Sequence, residues 1–188
     1  DGHLASNPTA VEGLDAWRFD PDAGTDTFFG PRGYQLLVPI WDLDWRPFAE
    51  GLAVSFLTAP FEDAKIVAGP GIADLWIRTP VDDVTLQVTL TEIRPDGNEV
   101  LIQSGWLRLG HRKAVVGDDL RIIRSYSEAD FTPMPMDEWV AIKVSIPSVA
   151  HPIRAGSALR MIISTPGRDH GTWEFEPPVY ESPPTFEV

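Results

Sequence analysis

Two carboxylates flanked by indoles form the pattern most suggestive of ligand binding. Asp42 and Asp44 stand two residues apart between Trp41 and Trp45. In an extended backbone, residues i and i+2 point to the same side, so both carboxylates could coordinate one Ca²⁺ ion. The segment lacks the glycine and the distal glutamate of an EF-hand loop, and solvated acidic side chains are the simpler interpretation. We therefore expect no metal or cofactor and keep Asp42 and Asp44 only as calcium candidates.

A histidine provides the second candidate for chemistry. His170 lies between Asp169 and Gly171, so the neighbouring carboxylate could hold its imidazole at the rim of a site. A polar loop is the plainer interpretation. None of the four histidines stands in a His-x-x-x-His spacing, and the chain has no cysteine, so we expect no zinc site.

The sequence has no recognisable nucleophile. A hydrolase serine on a strand-to-helix elbow needs glycines on both sides, because the backbone must turn sharply there. Ser104 and Ser157 each adjoin one glycine only, and Gly-x-Ser-x-Gly does not occur. We predict that the chain carries no catalytic residue. A free-standing enzyme centred on His170 remains an alternative.

The charge balance excludes two classes of partner. Fifteen Lys and Arg against 28 Asp and Glu give a net charge of −13, which repels phosphate backbones and anionic lipid surfaces. No apolar run approaches the roughly twenty residues of a membrane span. We expect neither nucleic acid nor a membrane as partner.

The compartment stays open, with a soluble protein of the cytoplasm favoured. Because the chain begins at Asp1 without a methionine or a signal sequence, we expect an excised or processed piece.

Period-two alternation is the clearest structural signal. Val84, Leu86, Val88 and Leu90 alternate with polar residues up to Thr91, which predicts a strand with one face in the core and the other in solvent. The turn residues 94–98 follow, and then a second run over 99–109. This pair is typical of a β-hairpin.

Further strands are predicted along the rest of the chain. Val140 to Ile146 alternates and is expected to end at Pro147, because proline has no N–H for the ladder. Other candidates are 34–41, 53–57, 64–67, 73–78, 120–124 and 159–164. About eight or nine short strands among 18 prolines and 15 glycines predict an all-β fold, a two-sheet antiparallel jelly-roll sandwich.

We interpret residues 1–188 as a single domain. Residues 1–33 are expected to form an extended wrapping segment, 34–176 the body of the sandwich, and 177–188 a proline-rich tail. Four tryptophans adjoin predicted strands and are expected in the core: Trp17, Trp76, Trp106 and Trp139. The alternative is an independent carbohydrate-binding module, which needs several exposed rings together.

An ordered series of motifs carries a resemblance to a known family. It runs through Phe-Leu-Thr-Ala-Pro-Phe at 56–61, Val-Ala-Gly-Pro at 67–70, the stretch 73–84, the hairpin turn at 94–97, the Gly corner and Leu-Arg strand within 149–164, and 168–175. In this order the motifs resemble the C-terminal β-sandwich domain of the X-Pro dipeptidyl-peptidase and cocaine-esterase-like family of α/β-hydrolases.

The resemblance implies a galactose-binding-like jelly roll packed against an α/β-hydrolase domain of the same polypeptide. That domain would carry a Ser-Asp-His triad, none of which maps to this chain, and would hydrolyse peptide, ester or acyl-amide bonds. This chain would then be a noncatalytic accessory domain that braces the catalytic domain, helps shape its acyl pocket or mediates contacts in a homo-oligomer.

A docked domain requires a partly apolar surface patch. The expected contributors to docking or to the pocket rim are Trp41, Trp45, Phe48, Phe56 and His170, the first four because they lie in segments that resemble strand edges or are rich in breakers.

Overall fold

A computed structural model describes residues 2–7, 13–20, 48–118, 121–166 and 178–188. Within these ranges the chain forms two short 3-10 helices, no α-helix, and no helix long and apolar enough to cross a membrane. Its strands are β1 (Gly2–Leu4), β2 (Ala16–Arg18), β3 (Ala53–Thr58), β4 (Lys65–Ile77), β5 (Thr85–Ile93), β6 (Glu99–Arg108), β7 (Val115–Val116), β8 (Ile122–Ile123), β9 (Val140–Ile153), β10 (Ala158–Ser164) and β11 (Thr185–Glu187).

The larger sheet has five strands in the order β1-β3-β10-β5-β6. All its neighbours are antiparallel except β1 and β3, which are parallel. At its centre Val88 on β5 lies opposite Ile163 on one side and Gly105 on the other. Non-consecutive strands thus become neighbours, and the order of the sheet differs from the order of the sequence.

A second layer consists of β4 paired antiparallel with β9. Its inward side chains, among them Leu75 and Val144, share one hydrophobic core with Leu86, Val88 and Leu107 of the larger sheet. The two layers approach closely where β6 meets β9, because a Cβ at Gly105 would overlap the backbone carbonyl of Ser145. The architecture confirms the predicted all-β class and the antiparallel pairing.

The predicted hairpin is confirmed. β5 and β6 pair along their length around a turn in which the Arg94 N–H donates to the Asn98 carbonyl over 2.9 Å. Gly97 has a φ of 85°, which an L side chain rarely adopts. The Asp96 carboxylate accepts the Asn98 N–H over 3.0 Å, and the turn chemistry read from the sequence is therefore realised.

The predicted end of a strand at Pro147 is wrong, since β9 continues to Ile153. Gly71 lies opposite Ile146, and Gly69 lies opposite Val149. Between these two pairs, residues 147–148 of β9 lie opposite a single residue of β4, Pro70. This two-against-one arrangement is a β-bulge. The bulge tolerates Pro70 and Pro147 because both lie where the ladder is interrupted, and neither has an N–H to donate. For the same reason 64–67 and 73–78, predicted as separate strands, belong to one strand, β4.

The prediction that one face of β5 is in solvent is also wrong. Gln87, Thr89 and Thr91 on that face are fully buried. Their polar groups are satisfied: Gln87 Nε2 donates to Thr89 Oγ1 over 3.1 Å, and Thr89 Oγ1 lies 3.0 Å from Ser104 Oγ. Trp106 Nε1 donates to Gln87 Oε1 over 2.9 Å. Hydrogen bonding within this row offsets the cost of burying polar groups.

Two distant segments pair beside the core. β2 and β11 form a two-stranded sheet in which Trp17 lies opposite Phe186, and their ring centroids are 5.4 Å apart. Both rings are buried. The last residues of the expected tail, 185–187, therefore form a strand that holds residues 16–18 against the core.

Candidate functional site

Five of the residues expected to serve a site lie outside the described residues: Trp41, Asp42, Asp44, Trp45 and His170. Among the residues that the structure does describe, no group of three or more His, Asp or Glu side chains could hold a metal ion.

The other two expected docking residues are both half-buried and lie apart. Phe48 packs against Ile162, and Phe56 packs against the main core. Ile162 lies opposite Ser55 in the larger sheet, so it projects from the face opposite to that of Phe56. The structure therefore does not bring Phe48 and Phe56 together.

A buried carboxylate that the sequence did not reveal connects the two layers. Glu92, at the end of β5, accepts hydrogen bonds from the Arg154 N–H over 3.0 Å and from Ser157 Oγ over 2.8 Å. Its Oε2 lies 2.9 Å from His151 Nε2 and 3.6 Å from Arg94 Nε. Burial by itself raises the pKa of Glu92, but the hydrogen bonds from Arg154, His151 and Ser157 outweigh it and lower that pKa to about 2.

Glu92, His151 and Ser157 are the residue types of a hydrolytic triad, but they are not arranged as one. The hydroxyl of Ser157 donates to the carboxylate, whereas a nucleophile must donate to an imidazole base. Ser157 is also fully buried. This centre can hold the turn between β9 and β10 against β5, but it cannot activate a nucleophile.

The most distinctive surface of the described residues is the outer face of the β4–β9 layer. Trp76 is 62% exposed and Trp139 is 42% exposed, so the expectation that these two rings lie in the core is wrong, while it is confirmed for Trp17. Trp76 lies opposite Ala141 on β9. Trp139 stands two residues before Ala141, immediately before β9 begins, and continuing the strand period by one residue places it on the same face as Ala141.

Arg78 belongs to the same surface, and the segment that contains Met136 lies beside it. The Arg78 guanidinium lies over the Trp139 ring, 5.4 Å from its centroid. Met136 is 61% exposed, and the N–H of the next residue, Asp137, donates to the Thr79 carbonyl over 2.8 Å. This bond holds the Met136 segment beside the end of β4. We call Trp76, Arg78, Met136 and Trp139 the tryptophan patch.

Two ion pairs lie beside the tryptophan patch, and two exposed acidic residues, Asp137 and Glu138, lie between Met136 and Trp139 in the chain. Lys143 forms an ion pair with Asp74 on the neighbouring strand, and Arg78 forms one with Glu187 of β11. The hydrogen bond from Arg78 lowers the pKa of Glu187. The face therefore offers two indoles and a thioether bordered by two ion pairs and two acidic side chains, and its aromatic, Met and Arg residues are types enriched at protein-binding surfaces.

A signal for this surface was present in the sequence. In the strand over 73–78, Trp76 alternates in step with Asp74 and Arg78, and not with Ala73, Leu75 and Ile77. Period two therefore places Trp76 on the charged, outer side. Trp76 was predicted to lie in the core because tryptophan is usually buried, although the strand period indicates the outer face.

Comparison with known proteins identifies relatives of this fold. The family model of the X-Pro dipeptidyl-peptidase C-terminal non-catalytic domain matches residues 40–182. No curated protein matches the chain in sequence.

Solved structures with a similar fold come from larger chains. A CocE/NonD family hydrolase from Staphylococcus aureus aligns with a TM-score of 0.64 at 16% identity, over 95% of this chain and 31% of its own. An aminopeptidase from a marine sediment archaeon, Thaumarchaeota archaeon, aligns with a TM-score of 0.67 at 18% identity, over 100% of this chain and 32% of its own. An α-amino acid ester hydrolase aligns with a TM-score of 0.67 at 18% identity, over 96% of this chain and 31% of its own. The chain thus spans about a third of the length of these structures.

Proposed function

The chain belongs to the family of X-Pro dipeptidyl-peptidase C-terminal non-catalytic domains, and we propose that it is the accessory domain of a larger serine hydrolase. One observation carries the proposal: the family match over 40–182 falls on a fold that occupies only 31–32% of the three hydrolase and peptidase chains described above. The parent would hydrolyse a peptide, ester or acyl-amide bond through an acyl-enzyme formed on its catalytic domain.

The finer features of this role belong to the same proposal. The domain is a galactose-binding-like jelly roll that braces the catalytic α/β domain and helps shape its acyl pocket or the contacts of a homo-oligomer. Trp41, Trp45, Phe48, Phe56 and His170 remain proposed contributors to docking or to the pocket rim. The layered β-scaffold supports bracing, because a close-packed core resists deformation when another domain is attached.

The mass of the native polypeptide tests the proposal. An antibody raised against this chain should detect, in its source cells, a band several-fold heavier than 20.8 kDa. The purified native protein should hydrolyse aryl esters or aminoacyl substrates, whereas the 188-residue chain alone should not. A native band near 20.8 kDa would overturn the accessory role.

An independent carbohydrate-binding module is the second candidate. It is favoured by the exposure of Trp76 and Trp139 on one sheet face, because indole rings stack on the apolar faces of sugars. Affinity electrophoresis of the chain through gels containing soluble polysaccharides should then show retardation that Trp76→Ala abolishes. Unchanged mobility in every polysaccharide would exclude this function.

A further inference from the structure

We propose that the tryptophan patch on the outer face of β4 and β9 is the surface on which the catalytic domain of the same polypeptide docks. The inference rests on the proposed function and deepens it, because it assigns the docking face. It adds Trp76, Arg78, Met136 and Trp139 to the contributors to docking that are proposed above.

The side chains of the patch are the types that dominate the energetics of protein interfaces. Trp and Arg are the residues most enriched at interface hot spots, and Met is also enriched at interfaces. Trp76 and Met136 are each more than 60% exposed, although burying such side chains would be favourable. Their exposure in the isolated chain indicates a surface that another body covers.

The patch is also prepared for docking by its backbone. Trp76 stands opposite Ala141 in the regular part of the ladder between β4 and β9, which runs from Gly71 to Ile77. Trp139 precedes the first residue of β9, and Met136 is held by the bond between Asp137 and Thr79. Little backbone freedom remains to be lost on association, which lowers the entropic cost of binding.

The two ion pairs beside the patch are compatible with a protein occupant. The whole chain carries a net charge of −13, but beside the patch Asp74 is paired with Lys143 and Glu187 with Arg78. A partner surface can cover these two ion pairs without separating their charges, and it must also match the exposed acidic residues Asp137 and Glu138.

The catalytic domain is favoured over a sugar or a second copy for two reasons. The Arg78 guanidinium already lies over the Trp139 ring, so that ring offers a sugar less open surface than a free platform would. In addition, more than two thirds of each similar solved chain lies outside the matched part. In these three proteins the rest of the polypeptide is therefore large enough to cover such a patch.

Hydroxyl-radical footprinting tests the assignment, because Trp and Met side chains oxidise readily when exposed. The 188-residue chain and the full native polypeptide are oxidised in parallel, with Trp17 as the buried standard and Tyr126, 61% exposed, as the exposed standard. In the chain alone, oxidation of Trp76 and Met136 should approach that of Tyr126. In the full polypeptide it should fall to the level of Trp17.

A matched pair of variants in the full polypeptide sharpens the test. Trp76→Glu should restore oxidation of Met136 and Trp139 to the rate found in the chain alone. Ile66→Glu is the control, because Ile66 lies on the same strand and is 75% exposed, yet stands about 30 Å away along β4. It should leave the protection intact. An unchanged melting temperature of the chain carrying Trp76→Glu would exclude unfolding as the cause.

Four outcomes would overturn the assignment. If Trp76 stays fully reactive in the full polypeptide while other residues of the domain become protected, the catalytic domain docks elsewhere and the accessory role stands. If the native polypeptide is no larger than the chain, the proposed function itself fails. Protection of Trp76 that appears in the chain alone with rising concentration would assign the patch to a second copy. Protection by oligosaccharides would assign it to a sugar.

Discussion

The Oε2 atom of Glu92 on β5 lies 2.9 Å from Nε2 of His151 on β9, and the two residues belong to different layers of the fold. The carboxylate is almost completely buried, and it also holds the Arg154 N–H and the Ser157 hydroxyl of the following turn. One charged group thus connects β5, β9 and the turn before β10. Because its hydrogen bonds replace those lost to water, the centre stabilises the junction between the layers.

Replacing this carboxylate should destabilise the domain. Glu92→Gln removes the charge but keeps the shape, leaving His151 and two donors with a weaker acceptor. We expect the free energy of unfolding to fall by about 2–4 kcal/mol. Urea denaturation followed by tryptophan fluorescence would measure it. Glu62→Gln, at an exposed position, should change the value by less than about 0.5 kcal/mol, and equal effects of the two variants would contradict the role given to Glu92.

The same carboxylate should make stability dependent on pH in the acid range. The pKa of Glu92 is lowered from 4.5 to about 2 in the folded chain, so its contribution is complete above pH 4.5 and is lost as the pH falls towards 2. The shift corresponds to about 3 kcal/mol. Denaturation curves at a series of pH values should show a steeper loss in the wild type than in Glu92→Gln. Parallel curves for the two proteins would count against the lowered pKa.

Gly105 should tolerate no side chain. A Cβ there would overlap the carbonyl oxygen of Ser145, a backbone atom of the facing layer that cannot swing aside. We expect Gly105→Ala to destabilise the domain by about 3 kcal/mol or more, as overpacking in a dense core does. Gly13→Ala is the control, because its Cβ would meet no atom within 4 Å. Differential scanning calorimetry should show a lower melting temperature for the first variant alone, and an unshifted transition would refute the close approach of β6 and β9.

The C-terminal strand should be necessary for stability. Phe186 is 1% exposed and packs against Trp17 across β2 and β11. Phe186→Ala should lower the free energy of unfolding by about 3–5 kcal/mol through lost burial and the cavity left behind. Val179→Ala, at a side chain 97% exposed, should have almost no effect. Urea midpoints compare the two, and a mild effect at Phe186 would mean that the strand is dispensable.

Several features followed from the sequence because they depend on neighbouring residues. The alternation over Val84 to Leu90 predicted β5, since side chains of a strand alternate between its two faces. Asp96 and Gly97 predicted the hairpin turn, because their conformational preferences act within a few residues. The same local rule, applied consistently, would have placed Trp76 on the outer face.

The tertiary structure alone decided which faces are covered and which distant groups meet. Gln87 and Thr89 carry the pattern of a solvent-exposed face but are buried and bonded to one another. Glu92 and His151 are 59 residues apart in sequence, and no local period relates them. Pro147 ends a strand by local preference, yet a bulge opposite Pro70 carries β9 past it. The physical reason is that strand direction is set by backbone sterics within a few residues, whereas burial and pairing depend on which layers pack together across the whole chain.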